Sequence, residues 1–239
     1  MGQGGIWTNS RRVSRWMTMG SLCIALCLWM SGVAQATLIT FNFEGAVVGA
    51  SSFLNPPISQ NTPIKGSYTF ESTTPDLLPG NLIVGRYALS DFSVSLLGTV
   101  GKTYTMGPVG DRIIEVTNSS SDAYRVNLAR IELDQPQALV GDSINGFAPR
   151  AFQFSIAGTD LFTNDSLPLA PPSLGTILHP FTMTFFRNGV GGLESVQASG
   201  RLTSLTAVPL PGALLLFGSG LLGLIGIRIV HRRNSLNQS

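Results

Sequence analysis

Between Thr37 and Ala207 the chain has no cysteine and one histidine, His179. The missing thiols exclude disulfides, thiolate metal sites and a cysteine nucleophile from this region. A zinc site would have to assemble carboxylates around a single imidazole, an unusual donor set for that ion. No serine lies in a Gly-x-Ser-x-Gly elbow, so nothing presents a nucleophile to His179. That histidine directly precedes Pro180 and reads as an exposed loop residue. Sustained helical periodicity is also missing, as is any repeat of 20–50 residues, which argues against helical bundles and solenoids. A segment of about 170 residues can nevertheless bury a sizeable core without covalent staples.

Cys23 and Cys27 both fall in an apolar stretch near the start of the chain. Charge divides in the same way. Arg11, Arg12 and Arg15 stand at one end, and Arg228, Arg232 and Arg233 at the other. Setting those six aside leaves nine of the 15 basic residues against all 13 acidic ones, so the nominal +2 becomes −4 for residues 37–207. Such a balance offers no footprint for nucleic acid, and no cofactor is expected.

Residues 1–36 have the three parts of a secretory signal. A positive start precedes an apolar run from about Met17 to Val33, and Ala34-Gln35-Ala36 supplies the small-x-small pattern that a signal peptidase admits. Cleavage after Ala36 leaves Thr37 at the new N-terminus. The apolar run is short for a permanent span. Ser14 departs from the twin-arginine pattern, and Leu22 and Leu26 replace the small residue a lipoprotein signal needs before its cysteine.

Alternation with period two recurs from residue 37 to residue 207. Its apolar sets are Ile39, Phe41 and Phe43; Tyr68 and Phe70; Phe92, Val94 and Leu96; Tyr124, Val126 and Leu128. Further along come Phe152, Phe154 and Ile156; Phe181, Met183 and Phe185; and Val196, Ala198 and Leu202. Turn-forming clusters separate them at Asn55-Pro56-Pro57, Pro79-Gly80-Asn81, Asn118 to Asp122, Asn145-Gly146 and Gly189 to Gly192. This pattern predicts an all-β domain, an antiparallel sandwich or jelly roll of about eight to ten strands. Leu167 to Pro180, rich in proline, reads as a long extended connection.

Glycoside hydrolysis needs only two carboxylates, so Glu132 with Asp134 and Asp111 with Glu115 are its candidates. Pairs of this kind are common on solvated strand faces. Loop oxygens at Asn118, Ser120 and Asp122, or at Asp142 and Asn145, are candidate cation ligands, but no consensus calcium loop is present. Tyr87, Tyr104 and Tyr124 read as core or half-buried strand positions rather than a sugar-binding face. Asn118-Ser119-Ser120 and Asn164-Asp165-Ser166 match glycosylation sequons by chance.

The end of the chain is the most specific segment. Val208-Pro209-Leu210-Pro211 precedes sixteen uncharged residues, Gly212 to Ile227, then Arg228, Ile229, Val230 and the basic group His231-Arg232-Arg233. As a helix over about 212–230 these would span about 24–29 Å, just short of a ~30 Å hydrocarbon core. Arg228 can snorkel to the interface, and the basic end predicts a cytoplasmic C-terminus with the β domain outside. Gly218, Gly220, Gly223 and Gly226 leave a surface on which another membrane helix can pack closely.

Val208 to Arg233 resembles the C-terminal sorting signal of the PEP-CTERM class in its VPLPA variant. The resemblance rests on Pro209 and Pro211, the segment Leu216 to Gly226 and the basic cluster. Leu210 departs from the glutamate of the founding motif, and Gly212 from the alanine of the variant. Gly66 to Phe70 and Leu202 to Thr206 are similar to segments common in such proteins. The resemblance implies an exosortase, a membrane-embedded cysteine transpeptidase acting near the prolines, and a Gram-negative source that makes extracellular polysaccharide. It also implies an inner-membrane-anchored precursor that later reaches the cell surface or the exterior. The expected protein is thus a non-enzymatic envelope or matrix component of 37–207 between two export signals, 1–36 and 208–239. The alternatives are a carbohydrate-binding module and, less favoured, a secreted glycoside hydrolase.

Overall fold

The structure, a computed structural model, describes residues 36–55, 57–129, 137–175, 179–189 and 192–208. Eleven strands follow in chain order: β1 (Leu38–Ala50), β2 (Pro63–Glu71), β3 (Val84–Ala88), β4 (Asp91–Leu96), β5 (Lys102–Met106) and β6 (Asp111–Thr117), then β7 (Asp122–Ala129), β8 (Leu139–Val140), β9 (Ala148–Gly158), β10 (Pro180–Gly189) and β11 (Gly192–Ala207). A single 3-10 turn, Ser52–Leu54, is the only helical element among the described residues. No helix there is long and apolar enough to cross a membrane. The spans expected at 1–36 and about 212–230 lie outside the described residues, apart from Ala36.

All eleven strands form one antiparallel sheet in the order β3-β6-β7-β9-β10-β11-β1-β2-β4-β5-β8. Every alternating apolar set named from the sequence points inward and is buried. A one-layer sheet cannot bury such a face, so it curls until its two halves meet and β8 lies against β9. The rings record the meeting. Phe43 on β1 packs at 5.5 Å from Phe152 and 5.6 Å from Phe154 on β9. Tyr68 on β2 shares a 2.9 Å hydroxyl–hydroxyl hydrogen bond with Tyr124 near the start of β7. Tyr104 on β5 meets Phe185 on β10 edge-on at 5.9 Å. Stepping from β2 to β5 therefore moves the facing contact from the start of β7 to the middle of β10. The two halves cross steeply instead of stacking strand over strand.

Bulges make the curl. Register shifts at Glu44/Gly45 and Val47/Gly49 bend β1 against β11, and another at Thr184/Phe185 bends β10 against β9. A Cβ on Gly45 would sit 2.5 Å from the Arg201 carbonyl oxygen, so the bend needs glycine there. At the Asn145-Gly146 turn, φ values of 51° and 82° give a primed hairpin turn, closed by mutual bonds of 2.9 Å between Ile144 and Phe147.

The first and last strands pair at the centre of the sheet, running antiparallel. The start of β1 and the end of β11 consequently leave the domain side by side, and the amide of Val208 donates to the carbonyl of Thr40 at 2.9 Å.

Candidate functional site

The inner face is sealed by rings, so chemistry has to be sought outside. On the outer face of β3, β6, β7, β9 and β10 lies a groove of about 440 Å³. Pairing register builds it from two transverse rows. Arg86, Glu115, Arg125 and Ser155 stand opposite one another in the first, and Ile113, Asn127, Gln153 and Thr182 in the second. The rows are two residues apart along each strand, about 7 Å.

Glu115 is the hinge of the first row. Arg86 Nε donates to its Oε2 at 2.9 Å and Arg125 Nη1 to its Oε1 at 2.7 Å, while the carboxylate side chain keeps 13% of its exposure. One carboxylate thus sits between two guanidiniums, leaving the groove with net positive charge in an acidic domain. Each guanidinium has five N–H donors, so both retain donors beyond the bond to Glu115. In the second row the amide oxygen of Asn127 is covered and has no hydrogen-bond partner among the described residues. A covered, unpartnered acceptor costs about 1–3 kcal/mol until something donates to it. No aromatic ring is presented outward here, since Phe154 reaches the groove only through its strand and buries its ring. The geometry suits hydrogen bonding and charge, not stacking.

In the sequence Glu115 and Asp111 are a candidate carboxylate pair, not an expected one. Both lie on the same face of β6, but four residues apart, about 13 Å, beyond the reach of a carboxylate pair. Glu132 and Asp134 lie outside the described residues.

The loop of Asn118, Ser120 and Asp122 has another use. Asp122 is buried, and its carboxylate accepts from the amides of Ser119 and Phe162, each at 3.0 Å. The Phe162 amide is the largest cause holding its carboxyl below the usual range, helped by Ser119 and Leu161 against the upward push of burial. Its oxygens tie this loop to the β9–β10 connection. In the other loop, Asp142 pairs with Lys102 at 3.3 Å and the Asn145 amide donates to the Phe53 carbonyl at 2.9 Å. Among the described residues no group of three or more acidic, histidine or cysteine side chains gathers around a point.

His179 corrects the sequence reading: it is 4% exposed, not an exposed loop residue. Its Nε2 lies 3.4 Å from the Gly175 carbonyl and its own carbonyl accepts from the Leu202 amide at 2.9 Å. The reason is that the connection packs back on the sheet through Leu161, Phe162, Leu167 and Leu174. Their apolar recurrence was the available signal. Tyr87, Tyr104 and Tyr124 are buried strand residues as expected, and burial raises the hydroxyl pKa of each of them and of Tyr68.

The fold defines an all-β domain whose two chain ends depart together, with a polar groove on one outer face. Residues 207–233 are a PEP-CTERM protein-sorting motif, starting at the last residue of β11. Such a motif implies an exported protein sorted by an exosortase and processed at the membrane. No curated protein and no solved structure matches the chain. Within the motif, only Ala207 and Val208 are described. Pro209, Leu210 and Pro211, the four glycines, the basic stop at Arg228, Arg232 and Arg233, and Ala34 of the leader lie outside the described residues. Ala36 is exposed, two residues before β1.

Proposed function

We propose that the β domain is the non-enzymatic cargo of an exosortase pathway, delivered to the cell envelope and its extracellular polysaccharide. The observation that carries this is the sorting motif beginning where β11 ends. The Val208 amide bonds to the Thr40 carbonyl, and Pro209 and Pro211 have no N–H to donate to a ladder. The processing enzyme is proposed to act on the Pro209–Gly212 segment, beyond the end of β11. The paired ends of β1 and β11 fit a precursor held in one membrane by both its leader and its tail. Deleting residues 209–239 is the test. The full-length protein is expected in the envelope fraction and the truncated form in the medium; retention of the truncated form in the envelope would sink the reading.

A second reading, a carbohydrate-binding module, is favoured by the groove. Guanidiniums, one carboxylate and an amide row offer the donors and acceptors that a hydroxylated polymer needs. Binding to the host's own exopolysaccharide, weakened at least tenfold by Arg125→Gln combined with Asn127→Ala, is the expected result. Equal retention of that variant would remove the groove from this role.

A further inference from the structure

The exposed apolar residues are not spread evenly. Of the eight large hydrophobic side chains exposed among the described residues, Leu38, Leu77, Leu82, Ile83, Leu169 and Val208 belong to the start of β1, the end of β11, and the β2–β3 and β9–β10 connections. Hydrogen bonds tie these pieces together at one end. The Ser72 amide donates to Thr37 O at 2.9 Å, the Leu77 amide to Arg86 O at 2.8 Å, and the Asn118 amide to Ile83 O at 2.8 Å. Tyr87 on β3 reaches over to Asp165 O at 2.9 Å, and the Val208 amide to Thr40 O at 2.9 Å. Val48 and Phe53, the other two, lie toward the far end of β1 and in the 3-10 turn. The segments 72–83, 118–121 and 159–179 contain Asp76, Asp160 and Asp165 and not one lysine or arginine.

We infer that this end of the domain rests on the extracytoplasmic face of the bilayer that the tail enters, with Leu82, Ile83, Leu77 and Leu169 dipping into its interfacial layer. Chain length requires the closeness. From Val208 to Gly212, the first residue of the uncharged run, is four steps, at most about 14 Å when extended. The headgroup layer on each side of the hydrocarbon is about 5–8 Å thick, and interfacial side chains reach about 5–10 Å into it. Leu82 is 86% exposed, the most exposed of the eight. The missing basic residues make the contact aliphatic, suited to zwitterionic lipid and opposed by anionic lipid. The inference rests on the tail being membrane-inserted.

Its test uses a built-in advantage: all three tryptophans, Trp7, Trp16 and Trp29, precede residue 36. The chain from Thr37 to Ser239, carrying Leu82→Trp or Phe53→Trp, is reconstituted into phosphatidylcholine vesicles with and without brominated acyl chains. Leu82→Trp emission is expected to fall at least twofold with brominated lipid, and Phe53→Trp emission to stay unchanged. Substituting half the lipid with phosphatidylglycerol is expected to weaken the effect. Ile83→Trp serves if Leu82→Trp fails to fold. Equal quenching of the two probes, none at either, or quenching that grows with phosphatidylglycerol overturns the inference. Protein that floats with vesicles but shows no quenching at Leu82→Trp overturns this contact alone; protein that does not float takes the membrane-inserted tail down with it.

Discussion

The two outer faces of the curled sheet obey the same strand rules and present opposite surfaces. Across β11, β1, β2, β4 and β5 one transverse row reads Thr206, Asn42, Ser67, Ser93 and Thr105. Its short side chains satisfy each other: Ser67 with Ser93 at 3.1 Å, and in neighbouring rows Thr40 with Thr69 at 2.9 Å and Ser95 with Thr103 at 2.8 Å. Across β3, β6, β7, β9 and β10 the rows carry long charged and amide side chains, a recess and an acceptor without a donor. Both faces are compatible with the same buried rings. The surface half of the alternation is therefore free to specialise, and the groove with its covered, unpartnered amide oxygen lies on the second face.

The largest effect should come from removing what both faces share. Phe43→Ala deletes a ring in contact with Phe92, Phe152, Phe154 and Tyr68, and is expected to cost about 3–5 kcal/mol by urea unfolding of the exported domain. Asp122→Ala strands the amides of Ser119 and Phe162 on the groove half, at about 2 kcal/mol. The depressed carboxyl pKa of Asp122 sets a sign as well. Its contribution is present above the unfolded-state pKa and is lost as pH falls through the lower folded value, so acid unfolding should be shallower in Asp122→Ala than in the parent. Glu115→Gln removes the charge between Arg86 and Arg125 and should cost about 1 kcal/mol, while raising the salt dependence of any anionic ligand's binding. Least of all, Ser67→Ala with Ser93→Ala removes both partners of one hydroxyl pair and should shift stability by less than about 0.5 kcal/mol, with ligand binding unchanged. A hydroxyl-face variant that abolished polysaccharide binding would reverse the contrast between the faces.

The aromatic alternation made β1, β2, β4, β7, β9, β10 and β11 legible, because each places two or more large rings or aliphatics two residues apart on a buried face. β3, β5 and β8 are short, and β6 alternates Ile114 and Val116 with charge, so their apolar signal is weak. The steep crossing of the halves was not legible, since it depends on bulges at Glu44/Gly45 and Thr184/Phe185 that local propensity does not mark. Nor was the groove. Arg86, Glu115, Arg125 and Asn127 belong to three strands, and only register sets them beside one another. Glu115 drew attention as an acid, but its partners are arginines. The sorting motif was readable because its parts are contiguous in the chain and need no fold to bring them together.

In the proposed function the domain is delivered as cargo and then parted from both ends. Mass spectrometry of the termini of the protein recovered from the producing cell's surface and medium tests this most directly. The expected species begins at Thr37 and ends between Val208 and Gly212. Released protein that still carries Leu214 to Arg233, or still begins at Met1, would contradict it.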